Sequence, residues 1–517
     1  MTVRKKVISL LFVFSMLLTV VACGKEESKG FNNISAVSQI DFNQPPVTIT
    51  YLTIGDKPVN GRTEEVVERL NAILEKRLNA RLDIYYVGWN DYLQNYNKTL
   101  ESQKDSIDLI GTGTDWLDAW PNVIKGNFLP LSDDMLREYC GVTYTNVSKS
   151  QWRSCSYNGD IYLIPENEYT QWTNHGFIYR EDIAQEAGLT EVSSWDDLTT
   201  YFECVLDKHP EMTPWDISGD TGATALGYLM SSMKYVPIYE LTTYGLWGED
   251  ADNKGKIISP YYKGDELIEF AKLMKKWNRM GVWKADPTMV GNNDSEFYNG
   301  ESSVIQHHTQ NFYTEIKPAM AITNPDVKLN FYWFGKESGN LMRLSNLHGA
   351  MAVSAGSKNP ERALMVYDMI RNDEECYRLL RYGIEGIQYS VTDDGMLEKP
   401  SGYNGTKDSI VTNFWWGRRD EFEIPDSSYA WDEYYDLVNS YEHIAVPYPW
   451  EGIPFSTPEI NAELVQIEAI CQEYIPKICS GKYSESPEEI VGVFRKELMK
   501  AGFERITGQL QRIYNAQ

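Results

Sequence analysis

The residues of this 517-residue sequence with the most chemistry to offer are aromatic side chains set in polar loops. They occur in Trp89-Asn90-Asp91-Tyr92, Asp115-Trp116, Tyr169-Thr170-Gln171-Trp172, Trp415-Trp416 and Tyr448-Pro449-Trp450, within a chain that holds 15 Trp, 34 Tyr and 17 Phe. An indole or phenol pairs a broad apolar face with a polar tip, which matches the C–H faces and hydroxyl rim of a sugar ring. Most single aromatics serve a core; as a population these lean towards carbohydrate.

Other chemistries are poorly served. His307-His308 could ligate a metal together with His348, but hydrogen-bonding neutral imidazoles at a strand end are the better reading. Asp250-Ala251-Asp252-Asn253-Lys254-Gly255 begins like a calcium loop, yet Lys254 and Tyr261 stand where oxygen ligands are required. Gly111-Thr112-Gly113 lacks the third glycine of a dinucleotide loop and the lysine of a phosphate loop. No cofactor and no metal is expected. Patterns of the kind G-x-S-x-G or H-E-x-x-H do not occur. A glycoside hydrolase needs two acids across a cleft, and among 74 Asp and Glu such a pair carries no information.

The elements that must position these residues begin at Val47. Val47–Ile54 reads as a strand, and a helix capped at Thr63-Glu64-Glu65 carries the apolar stripe Val66, Val67, Leu70, Ile73, Leu74 and Leu78. A strand over Leu82–Val87, a helix over Tyr92–Leu100 and a strand over Ile107–Ile110 complete a doubly wound α/β unit. Ligands meet such units at the loops beyond the strand carboxyl ends, here Gly55-Asp56-Lys57, Gly88-Trp89-Asn90 and Gly111 to Trp116. Asp56, Trp89, Asp115 and Trp116 are therefore site candidates. Further strands are expected at Asp160–Pro165, Phe177–Arg180, Ser303–Gln306, Lys328–Trp333 and Gly349–Ser354. Helices are expected at Glu181–Ala187, Trp195–Asp207, Gly264–Met280, Pro360–Ile370, Glu459–Tyr474 and Pro487–Lys500.

The amino terminus sets the compartment. Arg4, Lys5 and Lys6 precede an apolar run from Val7 to Val21, too short to span a bilayer and of signal-peptide length. Val20-Val21-Ala22-Cys23 resembles the bacterial lipobox, whose cysteine is lipidated. The expectation is a signal over 1–22, lipidation at Cys23, a flexible tether over 23–45 closed by Pro45-Pro46, and residence on the outer face of the cytoplasmic membrane. The net charge of −26 becomes −29 once the three signal cations are removed, which opposes a nucleic-acid partner. The six remaining cysteines, Cys140, Cys155, Cys204, Cys376, Cys471 and Cys479, show no C-x-x-C pair and read as buried thiols.

The order of segments resembles a family. Ile161-Tyr162-Leu163-Ile164-Pro165, Tyr179-Arg180-Glu181-Asp182-Ile183, Gly281-Val282-Trp283-Lys284-Ala285-Asp286, Ser357 to Leu364, Leu380 to Gly386 and Phe494 to Gly502 carry the likeness. They are similar to the lipoprotein solute-binding proteins of sugar-type ABC importers in Gram-positive bacteria, in the subgroup with a distinctive, DUF3502-like C-terminal domain. The resemblance covers roughly residues 46–517.

It implies an α/β, two-lobed, periplasmic-binding-protein-like (type II) fold with hinge strands and a mainly helical C-terminal extension. The expected division is 46–163 plus about 310–390 for the first lobe, 164–309 plus about 391–458 for the second, and 459–517 for the C-terminal segment. It further implies a ligand cleft between lobes. The crossing segment Pro165 to His175 would supply Glu166, Trp172 and Asn174; Gln306 to Asn311 would supply His307 and His308; Asn413 to Arg419 would supply Trp415, Trp416 and Arg418. The implied function is capture of a carbohydrate, an oligosaccharide, for delivery to ABC permease subunits, by a non-catalytic monomer. A lipid-anchored glycoside-active enzyme, or a receptor for peptides or other solutes on the same fold, is the alternative.

Overall fold

A computed structural model describes residues 34–166, 172, 174–217, 221–283 and 294–516. The expected signal over 1–22, Cys23, residues 167–171 and 173 of the expected crossing segment, and Lys284-Ala285-Asp286 lie outside them.

Eight strands frame the cleft: β1 (Val47–Ile54), β2 (Ala80–Val87), β3 (Leu109–Thr112), β4 (Ile164–Pro165), β5 (His175–Arg180), β6 (Val304–His308), β7 (Leu329–Trp333) and β8 (Ala350–Val353). The first lobe is built on a five-stranded sheet in the order β2-β1-β3-β8-β4. β1 pairs in parallel with β2 (Val47 with Ala80 through Ile54 with Val87) and with β3 (Tyr51 with Leu109), while β8 runs antiparallel to β3 and β4. A strand flanked by two partners and covered on both faces must be apolar throughout, and the last four residues of β1 are all buried. The helix over Arg62–Leu78 covers this sheet with Val66, Leu70, Leu74 and Leu78. Its Asn71 amide donates to the Leu82 carbonyl and accepts from the Leu82 N–H, clasping helix to strand.

The second lobe is built on β6-β5-β7, all antiparallel. Its core runs from Phe177 through Trp277 and Trp283 to Trp450 and Leu510. The late helices Pro458–Ser480, Pro487–Lys500 and Phe503–Asn515 pack into that core through Ile467, Phe494 and Leu510. The C-terminal segment is thus integral to the second lobe rather than a separate body.

Several segments lie otherwise than expected, beginning with Ile164–Pro165, which pair with β8 in the first-lobe sheet instead of opening the second lobe. Residues 310–343 stay in the second lobe, because β7 pairs with β5 rather than with the first-lobe sheet. Residues 410–419 return to the first lobe: Tyr51 Oη and Thr53 Oγ1 both donate to the Asn413 carbonyl, at 2.9 and 3.1 Å, and Trp416 is buried in the first-lobe core. The expected tether is partly docked. Ala36 is buried against the first lobe, and the Asn79 amide donates to the carbonyls of Asp41 and Gln44. Asn79 can do this because it holds the left-handed conformation (φ 46°) that ends the helix before it, which Asn adopts more readily than most residues. All six described cysteines are buried free thiols.

Candidate ligand-binding cleft

A cleft of about 2780 Å3 separates the lobes. The first-lobe wall forms where the carboxyl ends of β1 and β3 meet the returning segment around Trp415. Gly111 at the end of β3 explains the glycine-rich loop: a Cβ there would stand 2.3 Å from the Trp416 ring. At Gly113 a Cβ would stand 2.4 Å from the His348 carbonyl and 2.5 Å from Trp116 Nε1. The glycines seat two indoles against the backbone; only a residue without a side chain permits so close an approach.

Trp116 is the centre of the platform. It stacks on Trp416 (ring centroids 5.5 Å apart, 16° between planes) and on Trp89 (6.4 Å, 18°). Its Nε1–H donates to the His348 carbonyl at 2.8 Å, which fixes the ring plane. Trp415 and Tyr92 border it at 6.5 and 6.0 Å. Trp416 is fully buried and donates to Thr53 Oγ1, so it supports the platform from below, whereas Trp89 is 45 % exposed.

Polar groups surround the rings. Asp115 Oδ2 lies 2.8 Å from His348 Nδ1. Burial alone would lower the His348 pKa, but the Asp115 carboxylate outweighs it and raises it. Glu166 lies beside this pair; burial pushes its carboxyl up to about 7, against the pull of Arg418 and His348. Asp115 Oδ1 and, on the opposite wall, Asn174 Nδ2 and Asn311 Oδ1 are buried with no hydrogen-bond partner among the described residues. The second-lobe wall also presents His307 and His308. His307 Nδ1 accepts the His308 backbone N–H at 2.9 Å, and His308 Nδ1 accepts the Asn311 N–H at 3.1 Å. Burial and neighbouring imidazoles depress both pKa values, that of His307 to about 3. Tyr244 Oη reaches across from the second lobe to Asp118 Oδ1 at 2.9 Å.

Of the residues expected from sequence, Trp89, Asp115, Trp116, Glu166, Asn174, His307, His308, Trp415, Trp416 and Arg418 line this one cleft. Asp56 does not: it sits exposed near Gly88, outside the lining. Trp172 is a core residue, packed 4.9 Å from Tyr441, and Trp450 is likewise buried, its Nε1–H donating to the Pro237 carbonyl. Arg418 is held by Asp420 at 2.7 Å and Glu423 at 3.3 Å. Sequence reasoning missed Asp118, Tyr239, Tyr244, Arg381 and Glu423, and weighed His348 only as a metal ligand. The polar aromatic run Tyr239-Glu240-Leu241-Thr242-Thr243-Tyr244 was the available signal for two of them.

Residues 61–374 match the family model of the bacterial extracellular solute-binding proteins, and residues 450–516 match a domain of unknown function, DUF3502. A carbohydrate ABC transporter substrate-binding protein of Streptococcus pneumoniae is 20 % identical over 92 % of this chain and 91 % of its own length. Among solved structures, the N-glycan transport solute binding protein NgtS from Streptococcus pneumoniae in complex with Man1GlcNAc is 18 % identical, with a TM-score of 0.67 over 91 % of this chain and 99 % of that one. The alginate-binding protein AlgQ2 without calcium ion is 15 % identical, with a TM-score of 0.67 over 92 % and 99 %.

Proposed function

The chain belongs to the bacterial extracellular solute-binding protein family, and on that premise we propose that it captures an oligosaccharide in the cleft between its lobes. The observation that carries this reading is the Trp116 platform, with the buried Asp115 Oδ1 at its edge. A flat indole faces the C–H side of a sugar ring while a carboxylate oxygen accepts from its hydroxyl rim. The cleft volume, about 2780 Å3, exceeds the roughly 300–1,000 Å3 of pockets that hold drug-sized ligands, and so favours several sugar units over one. The similarity to a carbohydrate ABC transporter substrate-binding protein and to a glycan-bound binding protein supports the same reading.

In this proposal the protein is exported and lipidated at Cys23, and stands as a monomer at the outer face of the membrane. Lobe closure around the ligand, with Tyr244 meeting Asp118, forms the surface that permease subunits recognise. Among the described residues no helix is long and apolar enough to cross a membrane, in keeping with an anchor outside the folded body. Ligand is released unaltered; no catalytic step is required of any residue here.

A thermal-shift panel of mono- and oligosaccharides, with product analysis of each mixture, tests the proposal. A reversible rise in melting temperature with intact oligosaccharide is expected. A rise with peptides alone, or cleavage of the glycan, overturns it.

A further inference from the structure

The cleft carries its hydrogen-bonding groups in two chemically different sets. On the first lobe Asp115 Oδ1 and the Glu166 carboxyl are acceptors, Asp118 adds a third carboxylate, and Asp115 Oδ1 is buried without a partner among the described residues. On the second lobe His307 and His308 accept backbone N–H bonds at Nδ1, so each neutral ring carries its proton on Nε2. Their depressed pKa values agree with rings that stay uncharged. With Asn174 Nδ2 beside them, this wall offers N–H donors without positive charge, next to one unpartnered acceptor, Asn311 Oδ1.

The arginines of the cleft are committed elsewhere. Arg381 Nε and Arg418 Nη1 both bind Glu423, at 3.0 and 3.3 Å, and Arg418 Nε binds Asp420 at 2.7 Å. Lys399 Nζ lies 4.7 Å from the centre of the Tyr403 ring, and Lys98 is exposed to solvent. Around the described lining, ten acidic side chains face four basic ones. Recognition of a carboxylate or sulfate asks for an unspent guanidinium fork or a cluster of cations, and each arginine here already faces a carboxylate. A hydroxyl, which both donates and accepts, satisfies acceptors on one wall and neutral donors on the other.

We propose that the cleft selects by charge: it takes uncharged, hydroxyl-rich glycans and excludes those bearing carboxylate, sulfate or phosphate. The inference rests on the carbohydrate reading above and names the class of glycan. Asp115 and Asp118 repel an anionic ring, joined by Glu166 above pH 7, and the paired Arg381 and Arg418 offer it no compensation.

The test equilibrates the purified mature protein with an equimolar pool of neutral oligosaccharides and their uronate- or sialic-acid-bearing counterparts, and identifies the retained species by mass spectrometry. Neutral species enriched about tenfold or more are expected, the factor that about 1.4 kcal/mol of charge repulsion supplies. Anionic species retained equally or better overturn the inference while leaving the carbohydrate reading in place. Retention of no glycan at all removes both. Glu423→Gln, which releases Arg381 and leaves Arg418 held by Asp420 alone, is expected to raise anionic retention severalfold; an unchanged ratio in the folded variant contradicts the mechanism. Should that variant fail to fold, Glu166→Gln takes its place, compared above pH 7 where the wild-type carboxyl is ionised, with a narrowed neutral-to-anionic ratio expected and an unchanged one contradicting it.

Discussion

Trp116 lies stacked on Trp416, with ring centroids 5.5 Å apart and planes 16° apart, and the two indoles have different duties. Trp116 is partly exposed to the cleft, while Trp416 is fully buried in the first-lobe core. Trp116→Ala is expected to weaken oligosaccharide binding about tenfold or more with little change in melting temperature. Trp416→Ala is expected to cost about 3–5 kcal/mol of stability. Calorimetric titration and thermal unfolding of both variants check the division; equal effects in both assays would contradict it.

Gly113 gives a second, independent handle on the platform. A Cβ there would stand 2.5 Å from Trp116 Nε1 and 2.4 Å from the His348 carbonyl that this nitrogen binds, so Gly113→Ala must push ring and carbonyl apart. Loss of affinity comparable to that of Trp116→Ala is expected, measured by titration with the same oligosaccharide. Unaltered affinity would mean the ring's seat is unimportant.

The imidazoles should titrate apart. His307, drawn down to about 3 by burial and by His175, should stay neutral at pH 5, whereas His348, held by Asp115, should titrate above the ordinary value of 6.5. Histidine ring NMR across this range, assigned with single-histidine variants, reads both. A His307 resonance moving near pH 6.5 would remove the neutral-donor wall.

Glu240 makes the fold sensitive to alkali. Burial raises its carboxyl from the ordinary 4.5 to about 8, against the hydrogen bond it accepts from Tyr448. Between those two values the unfolded chain has released the proton and the folded chain still holds it, so stability falls as pH rises from 4.5 to about 8. Glu240→Gln should flatten that slope in thermal unfolding at a series of pH values, with its largest gain at pH 8 and above. A slope unchanged by the substitution would assign the pH dependence to other groups.

The bond between Tyr244 and Asp118 joins the lobes across the cleft. Tyr244→Phe should shift the free protein towards an open form, seen as a larger radius of gyration in solution scattering, with ligand restoring compactness. A radius identical to wild type with and without ligand would place closure elsewhere.

Much of this architecture was legible from residue patterns. The strand–helix alternation from Val47 to Ile110 follows from apolar periodicity, and Gly111, Asp115 and Trp116 fall at strand ends where cleft loops belong. The lobe boundaries were less legible, because antiparallel β7 pairs with β5 across a long insertion, and periodicity does not report pairing. Trp172, expected in the cleft, turns inward onto Tyr441, as Trp450 does onto the Pro237 carbonyl, since a polar neighbourhood in sequence does not prevent an indole from being buried. Asp56 stands at an expected strand end but is exposed outside the cleft lining. The spent charge on Arg418 depends on Glu423, whose carboxyl is drawn down to about 2 by Arg381 and Arg418 despite its burial, a network no local motif encodes.

The central claim, an intact oligosaccharide held on the Trp116 platform, is tested most directly by native mass spectrometry. The protein and its Trp116→Ala variant are incubated side by side with one pool of neutral oligosaccharides. The account predicts adducts with the mass of uncleaved oligosaccharide on the wild-type chain and their loss from the variant. No glycan adduct on the wild type, or the same adducts on both chains, would contradict it.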